Sequence, residues 1–356
     1  MNILGIGGYS HDSAAVLVRD GEIVAGVAEE RLTRVKHQGG IPHKAVRFCL
    51  DTAGLKPADI DHIGCYMRPG TRIMRRIPYR LRQMPRSPKY SVAYIGYEFV
   101  HNAQYVAGLR NLRGRNTKLH FMEHHPAHAA SAFLVSPFDR AALLSIDYIG
   151  EWAATWAGVG EGTSIRRLFS ESYPNSLGVF YTAITDYLGF LRANDEYKVM
   201  GLASYGKPEY LDEFRKIIVL RPGGRYRIDL SWFKCHYLPG SRHGYMSDAF
   251  VKRFGPPRGK GEAIEERHAN IAASAQAILE EVGLHITRDL HEQTGTDNLC
   301  LAGGVALNCA MNGRLLRESP FERFYVQPAA GDDGIAIGAA FQLYHGLTGA
   351  ERCYAM

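Results

Sequence analysis

Residues 2–28 read NILGIGGYSHDSAAVLVRDGEIVAGVA. The first five of these form a short apolar strand that runs into Gly5-Ile6-Gly7-Gly8. Residues 14–19 and 22–28 are β-rich runs joined by Asp20-Gly21. An Asp-Gly pair between such runs is the strongest short-range signal for a hairpin. This order decides the fold class. In a dinucleotide-binding fold the glycine loop opens a helix. Here it opens a second strand, and the G-x-G-x-x-G spacing fails because Ser10 stands at the last glycine position.

Residues 43–53 have helical spacing and 63–67 read as a strand. The stretch 68–89 contains Pro69, Pro78, Pro85 and Pro88, which predicts an irregular excursion. Residues 90–112 read as helix. A second series then starts with a strand at 118–123, a helix from Pro126, and strands at 142–147 and 152–159. Residues 207–262 are rich in Pro and Gly and read as an insertion. A long amphipathic helix over 263–293 follows. Strand 298–302, helix 306–316, strand 323–327 and helix 334–343 close the chain. A hairpin with strand–helix units, given twice, predicts two related α/β lobes with a cleft between them. The expected lobes are 1–115 and 116–345, followed by a tail at 346–356.

Of the 356 residues, 46% are hydrophobic and 22% charged, a balance that excludes a mainly disordered chain. The net charge is +6, yet residues 68–89 alone carry eight cations and no acid. The remainder therefore stands at −2, and the chain is basic only locally. Apolar runs are broken by Asp, Glu or Arg well short of the roughly 20 residues of a membrane span. The N-terminus lacks the features of a signal peptide. Six cysteines with no CxxC spacing read as reduced, mostly buried thiols, as expected of a cytoplasmic protein.

Several motifs carry chemistry. The glycines Gly7 and Gly8, in a loop followed by His11-Asp12, let backbone amides approach a phosphate, or simply make a tight turn. Glu123-His124-His125-Pro126-Ala127-His128 places three imidazoles in five residues, a metal site or a polar helix start. Proline favours the first helical position, so His124 is expected before the helix and His128 in its first turn. They would then converge from a loop and a helix rather than as an i, i+4 pair. Asp147 ends an apolar strand at a sheet edge, where α/β folds bind ligands or begin turns. Gly303-Gly304, between strand and helix, offers free backbone donors to a nucleotide. Gly331-Asp332-Asp333 stands between another strand and helix, where Asp332 caps the helix or meets a metal. The runs 29–37 and 194–206 mix acids, bases and aromatics, and read singly as solvated loops or salt-bridged surface.

Taken together and in order, HDSAAVLV, EERLTRVKH, HHPAHAASAF, the Asp147 strand, EYKVMGLASYG, LAGGVALN and GDDGIAIGAA resemble the NodU/CmcH-type O-carbamoyltransferases. That family includes nodulation and antibiotic-tailoring enzymes, and the resemblance runs over about residues 2–345. It implies an α/β, actin-like (hexokinase-type) two-lobed ATPase fold with ribonuclease-H-like lobes, related to threonylcarbamoyl-transferring proteins. It implies that a C-terminal domain makes carbamoyl adenylate from ATP and carbamoyl phosphate. The actin-like part would then move the carbamoyl group to a hydroxyl of a sugar, antibiotic or related metabolite. Carried over by motif, His124, His128, Asp147 and Asp332 hold a metal, Fe2+ or Zn2+, with Mg2+ a further candidate. Gly303, Gly304 and Asn308 line the adenosine site, joined by Gly7, Gly8, Asp12 and Gly331 as nucleotide-binding residues. His11, Lys36 and Lys198 face the carbamoyl and phosphate groups, with His11 as the base.

The sequence departs from the family in two places. Tyr148 stands where a glycine commonly follows the metal-binding Asp. The chain stops at Met356, where the C-terminal domain should begin, so the expectation is a fragment or a separate adenylate-forming partner. Two rival readings are an actin-like sugar kinase or ATP hydrolase, and an RNA-binding module using Arg68–Lys89 with Tyr79 and Tyr90. The kinase does not explain the histidines. The basic run reads better as an acceptor-binding flap or a solvated surface, so neither nucleic acid nor membrane is expected as a partner.

Overall fold

The computed structural model describes residues 1–238 and 244–353; residues 239–243 of the expected insertion and 354–356 of the tail lie outside it. The first sheet starts with β1 (Asn2–Gly7), β2 (Ala14–Arg19) and β3 (Glu22–Ala28). The β2–β3 turn takes φ of 52° at Asp20 and 89° at Gly21, the pair of positive values a two-residue hairpin demands. Short helix α1 (Glu29–Thr33) and α2 (His43–Ala53) lead to β4 (His62–Cys65). Glu29 is buried and accepts the amides of Lys44 and Ala45 at 3.1 and 2.7 Å, which ties α1 to the start of α2. β4 lies parallel to β1, with Leu4 beside Ile63.

A helix, α3 (Pro69–Gln83), replaces most of the expected irregular excursion, and α4 (Pro88–Leu112) is the expected helix 90–112 begun two residues earlier. Pro69 and Pro88 occupy first helical positions, where a missing N–H breaks no bond. Only Pro78 is interior to a helix. The cations divide: Arg68, Arg75, Arg82, Arg86 and Lys89 are exposed, as a solvated surface requires, and the other three are not. Arg72, Arg76 and Arg80, spaced by four on one face, are buried. Arg72 Nε meets Glu98 Oε2 at 2.6 Å and Arg76 Nη1 meets Glu98 Oε1 at 3.0 Å. Arg80 lies over the rings of Tyr94 and Tyr90, and donates to the His236 carbonyl at 2.9 Å.

Strand β5 (Lys118–Phe121) was expected to open the second lobe. It pairs instead with β4, in parallel, and completes the order β3-β2-β1-β4-β5. Parallel neighbours need a crossover, which α3 and α4 supply. Helix α5 (His124–Phe133) follows.

The second sheet contains β6 (Arg140–Ile146), β7 (Ala153–Glu161) and β8 (Ser164–Ser172). A long connection carries α6 (Leu177–Tyr187), α7 (Glu196–Ala203) and α8 (Leu211–Ile217). It continues through the hairpin β9 (Ile218–Arg221) and β10 (Arg225–Ile228), then α9 (Asp248–Phe254) and α10 (Glu266–Thr294). β11 (Asn298–Ala302) returns parallel to β6. A 3-10 turn at Gly304–Leu307 delays α11 (Cys309–Glu318), because Asn308 caps it by accepting the Met311 amide at 2.9 Å. β12 (Arg323–Val326) and α12 (Ile335–Thr348) end the fold. The order β12-β11-β6-β7-β8 repeats the topology of the first sheet.

The helices exchange sheets. α5 follows the first sheet but packs on β6, β7 and β11, while α12 follows the second sheet but packs on β1, β2 and β4. The two helices cross where Gly338 meets Ala127; a Cβ on Gly338 would overlap the Ala127 carbonyl oxygen. Along β6, Ala141 and Leu143 join the core beneath α5, and Ala142, Leu144 and Ile146 join the core of the second lobe. This period of two buries the strand on both faces.

Burial pushes the Glu98 carboxyl up, but the Arg72 hydrogen bond and the charges of Arg76 and Arg72 outweigh it and hold the pKa at about 2 against 4.5. Glu98→Gln leaves two buried guanidiniums without a counter-charge. The expected loss is about 3–5 kcal/mol of unfolding free energy at neutral pH, read by urea denaturation. The depressed pKa gives stability present above pH 4.5 and lost as pH falls toward about 2. The gap between wild type and variant should close through that window. A gap that persists unchanged to pH 2 contradicts the assignment.

Candidate metal centre and cleft

α5 begins at His124, two residues ahead of Pro126, and not after it as the sequence suggests. A proline in the first turn removes no helical hydrogen bond. The Glu151 carboxylate accepts the His124 amide at 3.3 and 3.2 Å. The ring of His125 is pinned to Ser145 Oγ at 2.9 Å and to the Ala153 carbonyl at 3.0 Å, so the residue before proline stays helical. His124 and His128 thus stand one turn apart on one face, as an i, i+4 pair.

Asp147 follows β6, and Asp332 lies in the loop before α12. His124 Nε2 is 2.9 Å from Asp147 Oδ2 and 3.7 Å from Asp332 Oδ1. His128 Nε2 is 3.2 and 3.4 Å from the same two oxygens. One ligand atom from each residue lies within 4.8 Å of all the others. A tetrahedron with metal bonds of about 2.0–2.2 Å has edges of about 3.3–3.6 Å, and the four His–Asp separations straddle that length. The donors therefore fit a transition ion. Two imidazoles do not suit Mg2+, which prefers oxygen ligands.

The electrostatics agree. Burial raises the Asp147 carboxyl, but hydrogen bonds to His124 and His128 hold it well below the carboxylate range. Burial alone lowers His128; its contacts with Asp147 and Asp332 reverse this and push it to about 9. The pocket is a concentrated negative field. His11 feels it too: burial lowers its pKa, but the Asp12 hydrogen bond and the charges of Asp332, Asp12 and Asp147 push it to about 9.

The glycines are fitted to the metal ligands. Gly303 has φ of 87°, and a Cβ there would run into the Ile146 carbonyl. The Gly304 amide is 3.3 Å from Asp147 Oδ1, and a Cβ on Gly304 would sit 2.9 Å from that oxygen. The Tyr148 amide also donates to Asp147 Oδ1, at 2.7 Å. Gly7 packs against the Asp332 carbonyl, Gly8 turns the chain toward His11, and Gly331 adjoins Asp332. Asn308 caps α11 and exchanges hydrogen bonds with Gln276 at 2.8 and 2.9 Å.

A hydrogen-bonded chain crosses the cleft beside this pocket. His11 Nδ1 lies 2.9 Å from Asp12 Oδ2, and Asp12 Oδ1 lies 2.7 Å from His37 Nδ1. His37 Nε2 and Lys36 Nζ both reach Asn194 Oδ1, at 3.0 and 2.8 Å. Lys36 and His37 follow α1, whereas Asn194 precedes α7. Lys198 is held by Asp195 at 3.0 Å and flanks the Tyr197 ring together with Lys36. Asp12, His37 and Ala193 take left-handed φ of 52°, 55° and 54°, strain concentrated where side chains are fixed. Sequence reasoning passed over His37, Asn194 and Glu151 as single residues. The one available signal was that their segments border the motif residues.

The class is clear from this architecture: two topologically matched lobes enclosing a polar cleft, the actin-like ATPase fold. Component A of (R)-2-hydroxyglutaryl-CoA dehydratase from Acidaminococcus fermentans is similar with a TM-score of 0.51 and 15% identity, covering 97% of this chain and 98% of that one. HypF of T. kodakarensis gives 0.51 and 14%, covering 98% and 48%. The model of the carbamoyltransferase N-terminus matches residues 2–341, so the chain belongs to the carbamoyltransferase family. An uncharacterized protein of Synechocystis sp. is 41% identical over 99% of this chain and 58% of its own length. The nodulation protein NolNO of Sinorhizobium fredii is 36% identical over 95% of this chain and 47% of its own. The chain thus spans about half the length of these relatives. Among the described residues no helix is long and apolar enough to cross a membrane.

Protein prepared without chelator should hold about one transition ion per chain by elemental analysis. His128→Ala should lose it, as should Gly304→Val, whose side chain displaces Asp147. Equal metal content in wild type and both variants, each folded by circular dichroism, would place the ion elsewhere.

Proposed function

We propose that this chain carries out the transfer step of O-carbamoylation: a carbamoyl group passes from carbamoyl adenylate to the hydroxyl of a sugar, antibiotic or related metabolite. The observation that carries the reading is the His124/His128/Asp147/Asp332 cluster at the floor of the cleft, with His11-Asp12 at its rim. In this reading ATP and carbamoyl phosphate are consumed elsewhere to make the adenylate, by a further domain or a separate protein. The transition ion would be Fe2+ or Zn2+, and when bound would offset the negative charge of the phosphate.

The chain's own residues divide the remaining work. An ion in the pocket would answer the Asp332 and Asp147 charges that help keep His11 protonated; with the ring then neutral, Asp12 orients it through Nδ1, which leaves Nε2 to accept the proton of the acceptor hydroxyl. The hydroxyl oxygen bonds to the carbamoyl carbon, the carbon–oxygen bond to the phosphate breaks, and AMP leaves with that oxygen. Lys36 and Lys198, together at the cleft mouth, answer charge on the carbamoyl and phosphate oxygens. Gly7, Gly8, Gly303, Gly304 and Gly331 border the space for the nucleotide. The glycine pair at 303–304 serves the ion through Asp147 as much as the nucleotide.

Supplied carbamoyl adenylate with a panel of hydroxylated acceptors should give O-carbamoylated product by mass spectrometry. His11→Asn should lower the turnover rate by roughly 100-fold or more with metal content unchanged. A His11→Asn variant as fast as wild type would remove histidine as the base.

A further inference from the structure

Helix α3 links the metal loop to a second site. At its middle, Arg76 donates to the carbonyls of Gly150 and Glu151 at 2.5 and 3.0 Å, directly behind Asp147. Two turns on, its C-terminal end borders a groove of about 550 Å3 between α3 and residues 230–237. That volume falls within the usual range of about 300–1,000 Å3 for small-molecule sites. A second hollow of about 400 Å3 adjoins it through Tyr79 and Arg82, and reaches Trp152.

The lining is charged with one sign. Arg82 and Arg86 line the groove, Arg75 and Arg82 the adjoining hollow, and neither wall has a carboxylate. Among the described residues none of these three guanidiniums has an ion-pair partner. Their neighbours Arg72 and Arg76 share Glu98 as a partner, so the contrast along one helix is sharp. Gln83 and His236, both buried, and Tyr79 also line the groove. Gln83 Oε1, His236 Nδ1 and Tyr79 Oη are buried without a hydrogen-bond partner. Each such atom costs about 1–3 kcal/mol while unpaired. An acceptor, an imidazole nitrogen and a phenol match groups that both donate and accept, which is the property of sugar hydroxyls. The rings present do not form a slot for a base. Tyr79 is tilted 60° to Trp152 and 79° to Tyr173, and Tyr237 is covered by Arg86 and His236.

We propose that this groove binds a sugar bearing a phosphate or sulfate group, as the part of the acceptor that does not react. The second half of that statement rests on the carbamoyl-transfer reading, whereas binding itself does not. Arg82 and Arg86 take the anion, and the unpaired amide, imidazole and phenol take hydroxyls.

Calorimetric titration of the whole chain, with no donor added, tests it. The probes are glucose 6-phosphate, glucose 6-sulfate, glucose, inorganic phosphate and an octauridylate. Both anionic sugars should bind at least about tenfold more tightly than glucose or inorganic phosphate. Arg82→Gln and Arg86→Gln should each weaken them about tenfold, while Lys216→Gln, on another hollow, should not. Equal affinity for glucose, equal affinity for inorganic phosphate, or no effect of either arginine variant overturns the proposal. Tighter binding of octauridylate overturns it in favour of nucleic acid. In a separate assay with carbamoyl adenylate supplied, a sugar that binds here yet blocks no transfer and receives no carbamoyl group sinks the acceptor role, and leaves the sugar site standing.

Discussion

The crossing of α5 and α12 governs the molecule. Each helix leaves one sheet and covers the other, and they touch backbone to backbone where Gly338 meets Ala127. Such an approach is open only to residues with little or no side chain, which is why α5 reads HHPAHAASAF and α12 opens IAIGAA. The chain enters both helices at the cleft. His124 is the first residue of α5, and Asp332 sits just before α12. Two ligands from opposite halves of the sequence are thereby fixed by one packing contact. Asp147 is added by the end of β6, which runs alongside β11 and its glycines.

Around this crossing the charges are layered. The innermost are carboxylates and imidazoles held without solvent. Behind them Glu151 accepts amides of His124 and Arg68, and Arg76 takes the Gly150 and Glu151 carbonyls. Behind Arg76 stands Glu98. Each charge in this sequence of partners is answered by the next, and a buried charge left alone would be costly. The locally basic helix is therefore largely a supporting beam for the ligand loop. Only its outward arginines are left for solvent or ligand.

Much of this was legible in the residues. The hairpin at Asp20-Gly21, helix 43–53 and strand 298–302 coincide with observed elements because local turn chemistry and periodicity decide them. The metal-ligand set came through family resemblance, and the geometry draws those four side chains together. What escaped depends on distant partners. No local pattern tells β5 to pair with β4 rather than to begin a new sheet. Pro126 misled the reading of His124 because the stabilising acid, Glu151, lies 27 residues on. The prolines of 68–89 hid α3, since a proline at a helix start and one in a loop look alike without the cap. The Asn194 bridge to Lys36 and His37 joins residues more than 150 positions apart.

The repeated strand order implies a pseudo-twofold relation between the lobes, with β1 answering to β6 and β4 to β11. Positions just past the equivalent strands can then be compared. After β6 comes Asp147, and after β1 comes Gly8; after β11 comes Gly303, and after β4 comes Tyr66. The duplicated scaffold has been broken asymmetrically at its most useful corner. One half contributes a carboxylate where its twin contributes bare backbone, and bare backbone where its twin contributes a phenol. The scaffold is repeated, whereas among the described residues the pocket of two imidazoles and two carboxylates is built once.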